Sequence, residues 1–205
     1  MAQLPERLTD PGLLLVEGRE EVLFLGALRE CLGLSGLEIL DTGGKTNYPA
    51  FLRAIRRHPD FPALAALGLL RDADLDAAGA LQSLAGALEA AGLPAPREPL
   101  VPAGEGPRVV VMIMPGGGRP GMLEDLCLEA VRDEPATACV EDFFACLRGK
   151  GLPLPDNMSK ARVQTYLSAQ EKPGLRLGEA ACKQYWPWSH PAFAEVKRFL
   201  RLLCP

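Results

Sequence analysis

The sequence contains no CxxC pair and only two histidines, and its six cysteines, Cys31, Cys127, Cys139, Cys146, Cys182 and Cys204, are scattered along the chain. A zinc site, which needs sulfur and imidazole ligands at close spacing, is thereby set aside. Long apolar runs are also missing. Nothing approaches the roughly 18 to 20 apolar residues of a membrane span, and the opening MAQLPERLTD has no apolar centre for a secretory signal. A cytoplasmic protein with no membrane partner is expected. Basic surplus is absent as well: 22 Lys and Arg stand against 26 Asp and Glu, a net charge of −4. Charge alone therefore does not grip nucleic acid, although a bound cation reverses the local sign at a site. There is no internal repeat.

What the chain does have is a globular composition, with 48% apolar and 23% charged residues over 205 positions. That length fits one domain, or one domain with an appended subdomain, and suffices to bury roughly 70% of the unfolded surface. Cys31 falls among Phe24, Leu28 and Leu32 at helical spacing, and Cys127 lies beside Leu123, Leu126 and Val131. Most of the thiols are therefore expected as small core residues.

Four short apolar runs, Leu13 to Val16, Leu37 to Leu40, Leu64 to Leu70 and Val109 to Met114, read as strands covered on both faces. Between them lie stripes of helical period: Phe24, Leu28, Cys31 and Leu32; Tyr48, Phe51, Leu52 and Ile55; Ala77, Leu81, Leu84, Leu88 and Ala91. This alternation predicts an α/β fold, with a mainly parallel, Rossmann-like sheet of about four strands, right-handed crossovers and helices on both faces. After Met114 the pattern turns wholly helical. Val140, Phe143, Phe144 and Leu147 mark one helix, Ser159 to Ala169 roughly another, and Phe193, Val196, Leu200 and Leu203 the last, with Ser189 as its cap and Pro191 in its first turn. Residues 1–132 are read as the sheet domain, and 133–205 as a C-terminal helical extension that caps the same core. Ala95 to Pro107 and Gly149 to Asp156 read as exposed connectors.

In an open parallel sheet, ligands bind beyond the carboxyl ends of the strands. Here all four exits carry chemistry: Glu17 and Gly18 after the first run, DTGGKTN with Asp41, Gly43, Gly44 and Lys45 after the second, RDADLD after the third, and PGGGRPGMLED after the fourth. The opposite loops, GLSG and HPDFPA, show nothing comparable. Asp72 and Asp74 are two apart, so if strand geometry continues through Ala73 their side chains share a side and can share a cation. Glu17 approaches from a neighbouring strand end, and Glu124 or Asp125 can complete an all-oxygen shell. Oxygen donors without Cys or His select magnesium or manganese over zinc. Such an ion favours phosphoryl or phosphodiester transfer.

Each piece also has a plainer reading. Asp74 is a good helix N-cap, Asp76 suits the positive end of the same helix, and Asp72 can form a local turn. Glu17 can pair with Arg19 or Arg71, and Glu124 can be an ordinary first-turn acid. GGKT at 43–46 is no phosphate loop, because Ile39 stands where the first glycine of that motif is needed. Gly43 and Gly44 still let backbone amides approach an anion, and Lys45 supplies a point charge. Arg119 in GGGRPG sits either on a mobile lid or on a loose connection. The run RAIRRH is read as a solvated helix face, and YWPWSHPAF as a packed corner anchoring the last helix rather than a base-stacking surface.

The motifs VEG at 16–18 and RDAD at 71–74, in that order at two strand ends, resemble the Toprim domain of topoisomerases, primases, small ribonucleases and overcoming-lysogenization-defect nucleases. The Toprim-like part covers about the first 130 residues. From LLVEG through DTGGKTN, RDAD, GMLEDL and LGEAACKQYWPWSHPAF, the whole chain further resembles a family of uncharacterised prokaryotic proteins related to Toprim. The resemblance implies acid or base work for Glu17, magnesium binding for Asp72 and Asp74, and for Glu124 the place of the later acid of the nuclease branch. Lys45 and Arg119 have no counterpart in the general motif. A topoisomerase tyrosine, an ATPase module and a zinc module have no match in this chain either, so a complete topoisomerase, primase or full-length lysogenization-defect nuclease is not expected.

The resulting expectation is a magnesium- or manganese-dependent, nuclease-like protein that cleaves or transfers phosphodiester bonds of nucleic acid. Glu17, Asp72 and Asp74 are its catalytic and metal residues, Glu124 assists with the metal, and Gly43, Gly44, Lys45 and Arg119 hold phosphate. The alternative is a non-catalytic module that uses the same crevice for a nucleotide or a partner.

Overall fold

The apolar runs form four strands: β1 (Gly12–Val16), β2 (Leu37–Asp41), β3 (Ala66–Asp72) and β4 (Arg108–Met114). They make one sheet in the order β2-β1-β3-β4, parallel throughout. The computed structural model describes residues 4–204. Eight α-helices accompany the sheet among these residues: α1 (Arg19–Cys31), α2 (Tyr48–Arg56), α3 (Ala77–Ala90), α4 (Leu123–Ala130), α5 (Pro135–Gly149), α6 (Met158–Ser168), α7 (Leu177–Cys182) and α8 (Ala194–Leu203). The fold is thus the α/β, Rossmann-like arrangement that the alternating pattern predicts.

Side chains alternate across a strand, so each strand supplies two faces. Leu14, Val16, Leu70 and Met112 pack with Phe24, Leu25 and Leu28 of α1 and with Val196, Leu200 and Leu203 of α8. On the other face Leu13, Leu15, Leu69 and Val111 meet Phe51 and Ile55 of α2 and Leu84 and Leu88 of α3. Each such fully buried side chain contributes about 1.5–3 kcal/mol. The segment after residue 132 joins the first cluster through Val140, Phe144 and Val163 of its helices and through Trp186 of the turn that follows α7. Helix α8 lies close on β1 and β3 because Gly12 and Gly68 offer no Cβ; one at Gly12 would strike the Leu203 carbonyl oxygen, and one at Gly68 the Leu203 side chain. Among the described residues no helix is long and apolar enough to cross a membrane.

Several expectations need correction. Strand β3 starts at Ala66 rather than Leu64, because Phe61–Ala63 forms a 3-10 turn that Leu64 ends, and it runs on to Asp72. Four of the six thiols, Cys31, Cys139, Cys146 and Cys182, are exposed, and only Cys127 is fully buried. Cys31 stands at the end of α1, past the buried stripe that closes at Leu28. Cys139 and Cys146 fall well round α5 from its buried Val140 and Phe144. Asp76, not Asp74, caps α3, its Oδ1 accepting from Gly79 N at 2.9 Å. His190, not Ser189, caps the 3-10 turn Pro191–Phe193 that leads into α8, its Nδ1 accepting from Ala192 N at 3.1 Å. Helix α7 has only six residues, too short to show a periodic stripe.

The aromatic segment is a packed corner. Trp186 is buried, donates to Leu177 O at 3.1 Å and stacks on Tyr166, while Trp188 meets Phe24 edge-on with centroids 5.1 Å apart. Arg53, Arg56 and Arg57 of the basic run are exposed. The excursion before β4 is exposed at most positions but buries Leu100, and it returns to the strand: Leu100 N donates to Val111 O at 2.9 Å, and Ala103 and Val109 exchange two hydrogen bonds.

Candidate functional site

After β1 the chain pairs β2 on one side, and then crosses back to lay β3 on the other. The strand order reverses between β1 and β3, and this is where a parallel sheet opens a crevice at its carboxyl edge. Glu17 is the first residue beyond β1, and Asp72 is the last residue of β3. Because Asp72 has the parity of Ala66 and Leu70, it projects to the α1 and α4 face. There its Oδ1 accepts from Leu123 N, the first residue of α4, at 3.1 Å. Its own N–H donates to Glu17 Oε1 at 3.3 Å. The two adjacent strand ends are thus tied through one carboxylate.

Two further acids face Asp72 from the helices. Glu21 lies one turn beyond Glu17, in the first turn of α1, and Glu124 in the first turn of α4. Burial, followed by the charges of Glu21, Glu17 and Glu124, pushes the Asp72 carboxyl up to about 8, against the single opposing N–H of Leu123. Glu17 is raised by burial, opposed by the Asp72 N–H and by Arg71. Glu21 and Glu124 are also raised by burial, and for both Lys160 of α6 opposes the rise. Four carboxyl groups therefore share one partly dry region at a cost to their charged forms. Asp72 has no Lys or Arg partner among the described residues. Arg71 gives little relief: its Nε lies 3.9 Å from Glu17 Oε1 and is buried with no hydrogen-bond acceptor.

Asp74 does not share the Asp72 side. Strand geometry stops at Asp72, and Asp74 takes a left-handed φ of 51°, fixed by two hydrogen bonds exchanged with Gly121. Its carboxylate turns outward to Lys45 Nζ, at 2.7 Å. The loop carrying Lys45 is held from within: Gly44 N donates to Glu17 O at 2.8 Å, Thr42 Oγ1 to Val16 O at 3.1 Å, and Asn47 Nδ2 to the Thr42 and Gly43 carbonyls. Gly43 and Gly44 have φ of 73° and 120°, so the turn requires glycine, yet the Gly44 amide is engaged by protein rather than left for an anion. Arg119 is drawn elsewhere. Its Nη1 lies 2.9 Å from Glu129 Oε2 in a separate groove shared with Arg132 and Arg162.

The structure accordingly brings together Glu17, Asp72 and Glu124, holds Asp74 and Lys45 as a pair at the rim, and leaves Arg119 outside. It adds Glu21 and Lys160. Glu21 had a signal, its four-residue spacing from Glu17 onto the helix face that also carries Phe24 and Leu25; Lys160 had none, since only the tertiary fold carries α6 to this edge. Among the described residues no three Asp, Glu, His or Cys side chains are gathered closely enough to form a ready-made metal cage.

The family model described as "Protein of unknown function (DUF3226)" matches residues 11–205. No match to a curated protein sequence was found. Among solved structures, the chain is similar to the C-terminal region of the Burkholderia pseudomallei OLD protein, at 17% identity and a TM-score of 0.53, over 96% of this chain and 98% of that one. It is likewise similar to the C-terminal region of the Xanthomonas campestris pv. campestris OLD protein, at 15% identity and a TM-score of 0.53, over 96% and 97% of the two chains. At such identities the likeness is one of fold.

Proposed function

The chain belongs to the DUF3226 family, and from that premise we propose that it is a Toprim-like, magnesium- or manganese-dependent protein that cleaves or transfers phosphodiester bonds of nucleic acid. One observation carries the reading: Asp72, without a basic partner, is held at the sheet's switch point among Glu17, Glu21 and Glu124. A fold that gathers four half-buried carboxyl groups and compensates them only with Arg71 at 3.9 Å and an exposed lysine is poised for an added cation. The donor set is all oxygen, which fits a hard divalent ion. Glu17, Asp72, Glu21 and Glu124 would hold it, with Asp74 joining from the rim once released from Lys45. Such an ion supplies charge neutralisation of a phosphoryl group and a more acidic bound water.

The chain's own residues do the rest. Lys160, exposed and in no ion pair among the described residues, faces the acids from α6 and suits a phosphate oxygen. Lys45 serves the same end when Asp74 turns inward, and the unsatisfied Arg71 Nε supports the Glu17 side. Glu17, whose carboxyl burial shifts upward, holds its proton more firmly than an exposed glutamate and suits the acid or base role that the Toprim resemblance implies. The fold shared with the C-terminal regions of OLD proteins supports a nucleic-acid-related role.

The closed Lys45–Asp74 pair favours one second reading, a non-catalytic module that binds a nucleotide or a partner in the same crevice. Turnover decides between them. Single- and double-stranded DNA and RNA are incubated with the protein and magnesium or manganese. Metal-dependent cleavage lost in Asp72→Asn and in Glu17→Gln supports the enzyme; cleavage that survives Glu17→Gln removes that residue from its role, and no cleavage of any substrate leaves the binding module.

A further inference from the structure

Beside the acids runs the open groove that Asp74 borders. It measures about 540 Å³ and lies between the loop after β3, the Pro120–Met122 segment and the start of α6. That volume is in the range of small-molecule sites. Its walls differ in kind from the acid centre. Leu75, Pro120, Met122 and Met158 make them apolar, and no Lys or Arg lines them. Among the described residues Leu75 is the most exposed large hydrophobic side chain, at 94%, and it directly follows the left-handed turn at Asp74.

Most polar groups in the groove are already occupied. Asp125 accepts from Met122 N at 2.8 Å and from Ser159 Oγ at 2.6 Å. Asn157 accepts from Lys160 N at 2.9 Å and donates to Met122 Sδ. Asp156 alone among the lining carboxylates has neither a hydrogen bond nor an ion pair among the described residues. A groove without cations repels a phosphate. Apolar and thioether walls with one free carboxylate instead suit a flat heteroaromatic ring that carries an amino group.

We propose that this groove receives the nucleobase next to the phosphate held at the acids, with Leu75 and Met158 against the ring and Asp156 accepting from an exocyclic amine. The inference rests on the phosphodiester reading above, which supplies the strand. It makes the site selective for amino-bearing bases: cytosine, adenine and guanine offer an exocyclic amine, whereas thymine and uracil have none, and their one ring N–H is flanked by two carbonyl oxygens that the carboxylate repels.

The test uses the full chain with methionine methyl groups labelled for NMR, titrated with phosphorothioate oligodeoxycytidine and oligothymidine of equal length in magnesium. The expected result is movement of the Met122 and Met158 methyl signals by oligodeoxycytidine, with binding roughly tenfold tighter than to oligothymidine. The preference should fall toward one in Asp156→Asn, and Leu75→Ala should weaken both. Because both side chains are exposed, unchanged melting temperatures verify that the variants fold. Equal affinity for the two strands, still methyl signals at Met122 and Met158, or no binding at all overturns the inference. Magnesium-induced stabilisation is measured on the same samples without nucleic acid. Its absence together with base-dependent methyl shifts refutes the metal reading and leaves the groove standing; the reverse refutes the groove alone.

Discussion

Replacing Asp72 by Asn removes the carboxyl that burial and three acid neighbours raise to about 8, and should stabilise the metal-free protein at neutral pH. The sign follows from linkage. In the unfolded chain Asp72 loses its proton near 3.8, whereas in the folded chain it keeps the proton until about 8. Between those values the native state binds more protons, so stability is greatest below the lower value and falls as pH rises toward the upper one. At 1.36 kcal/mol per pH unit the full window corresponds to about 6 kcal/mol. Asp72 is only partly shielded, and solvent relaxation lowers the effect to about 2–4 kcal/mol. Glu17, Glu21 and Glu124 are raised as well and add slopes of the same sign, which persist in the variant. Asn keeps an oxygen for Leu123 N, so the structural hydrogen bond survives.

Urea unfolding in chelator at pH 5 and pH 8 reads this directly. Wild type should lose stability between the two, and Asp72→Asn should lose less and be the more stable protein at pH 8. Magnesium at a hundred times its dissociation constant should restore about 2.7 kcal/mol to wild type and nothing comparable to the variant. A variant less stable than wild type at pH 8, with an unchanged pH slope, refutes the view that these acids repel one another in a shared dry region.

Two further expectations concern the scaffold. The same substitution should have opposite signs at two glycines. Gly12→Ala drives a methyl group into the Leu203 and Gly36 carbonyl oxygens and should cost about 1–3 kcal/mol, whereas Gly26→Ala, in α1 with nothing within 4 Å, should gain about 0.5–1 kcal/mol; urea midpoints check both. Asp76→Ala removes the cap of α3 and should cost about 1 kcal/mol in the same assay, and a change within error would mean that the Gly79 N–H bond adds nothing.

The parallel sheet was legible because each strand is buried on both faces and therefore appears as a bare apolar run, bounded by helical stripes. Where the strand ended was less legible. Leu64 to Leu70 looks like one strand, yet Pro62 belongs to a 3-10 turn that displaces the start by two residues, and pairing with Met114 carries the end to Asp72. Because strand geometry stops there, Asp72 and not Asp74 lies on the acid face. Positive φ at Asp74 leaves no mark in an RDAD string, because its cause is a bridge to Gly121, 47 positions on. Glu17, Asp72 and Glu124 were readable from their places at strand exits or in the first turn of a helix. Glu21 follows from helix spacing once Glu17 is chosen, but Lys160 needs α6 docked before it means anything. Cys31 misled because helical spacing says which side of a helix a residue occupies and not where along the helix the core ends.

The segment before β4 bears no chemistry, yet it alters what the molecule can stick to. An outermost strand ordinarily leaves a row of amides and carbonyls free to recruit a strand from another molecule. On this margin the amide and carbonyl of Val109 and the carbonyl of Val111 are already taken by residues 100 and 103 of the same chain. A proline-rich detour thus works as a built-in guard against sheet-to-sheet growth, and the valine-rich strand beneath it can stay intensely apolar without becoming a seed for aggregates.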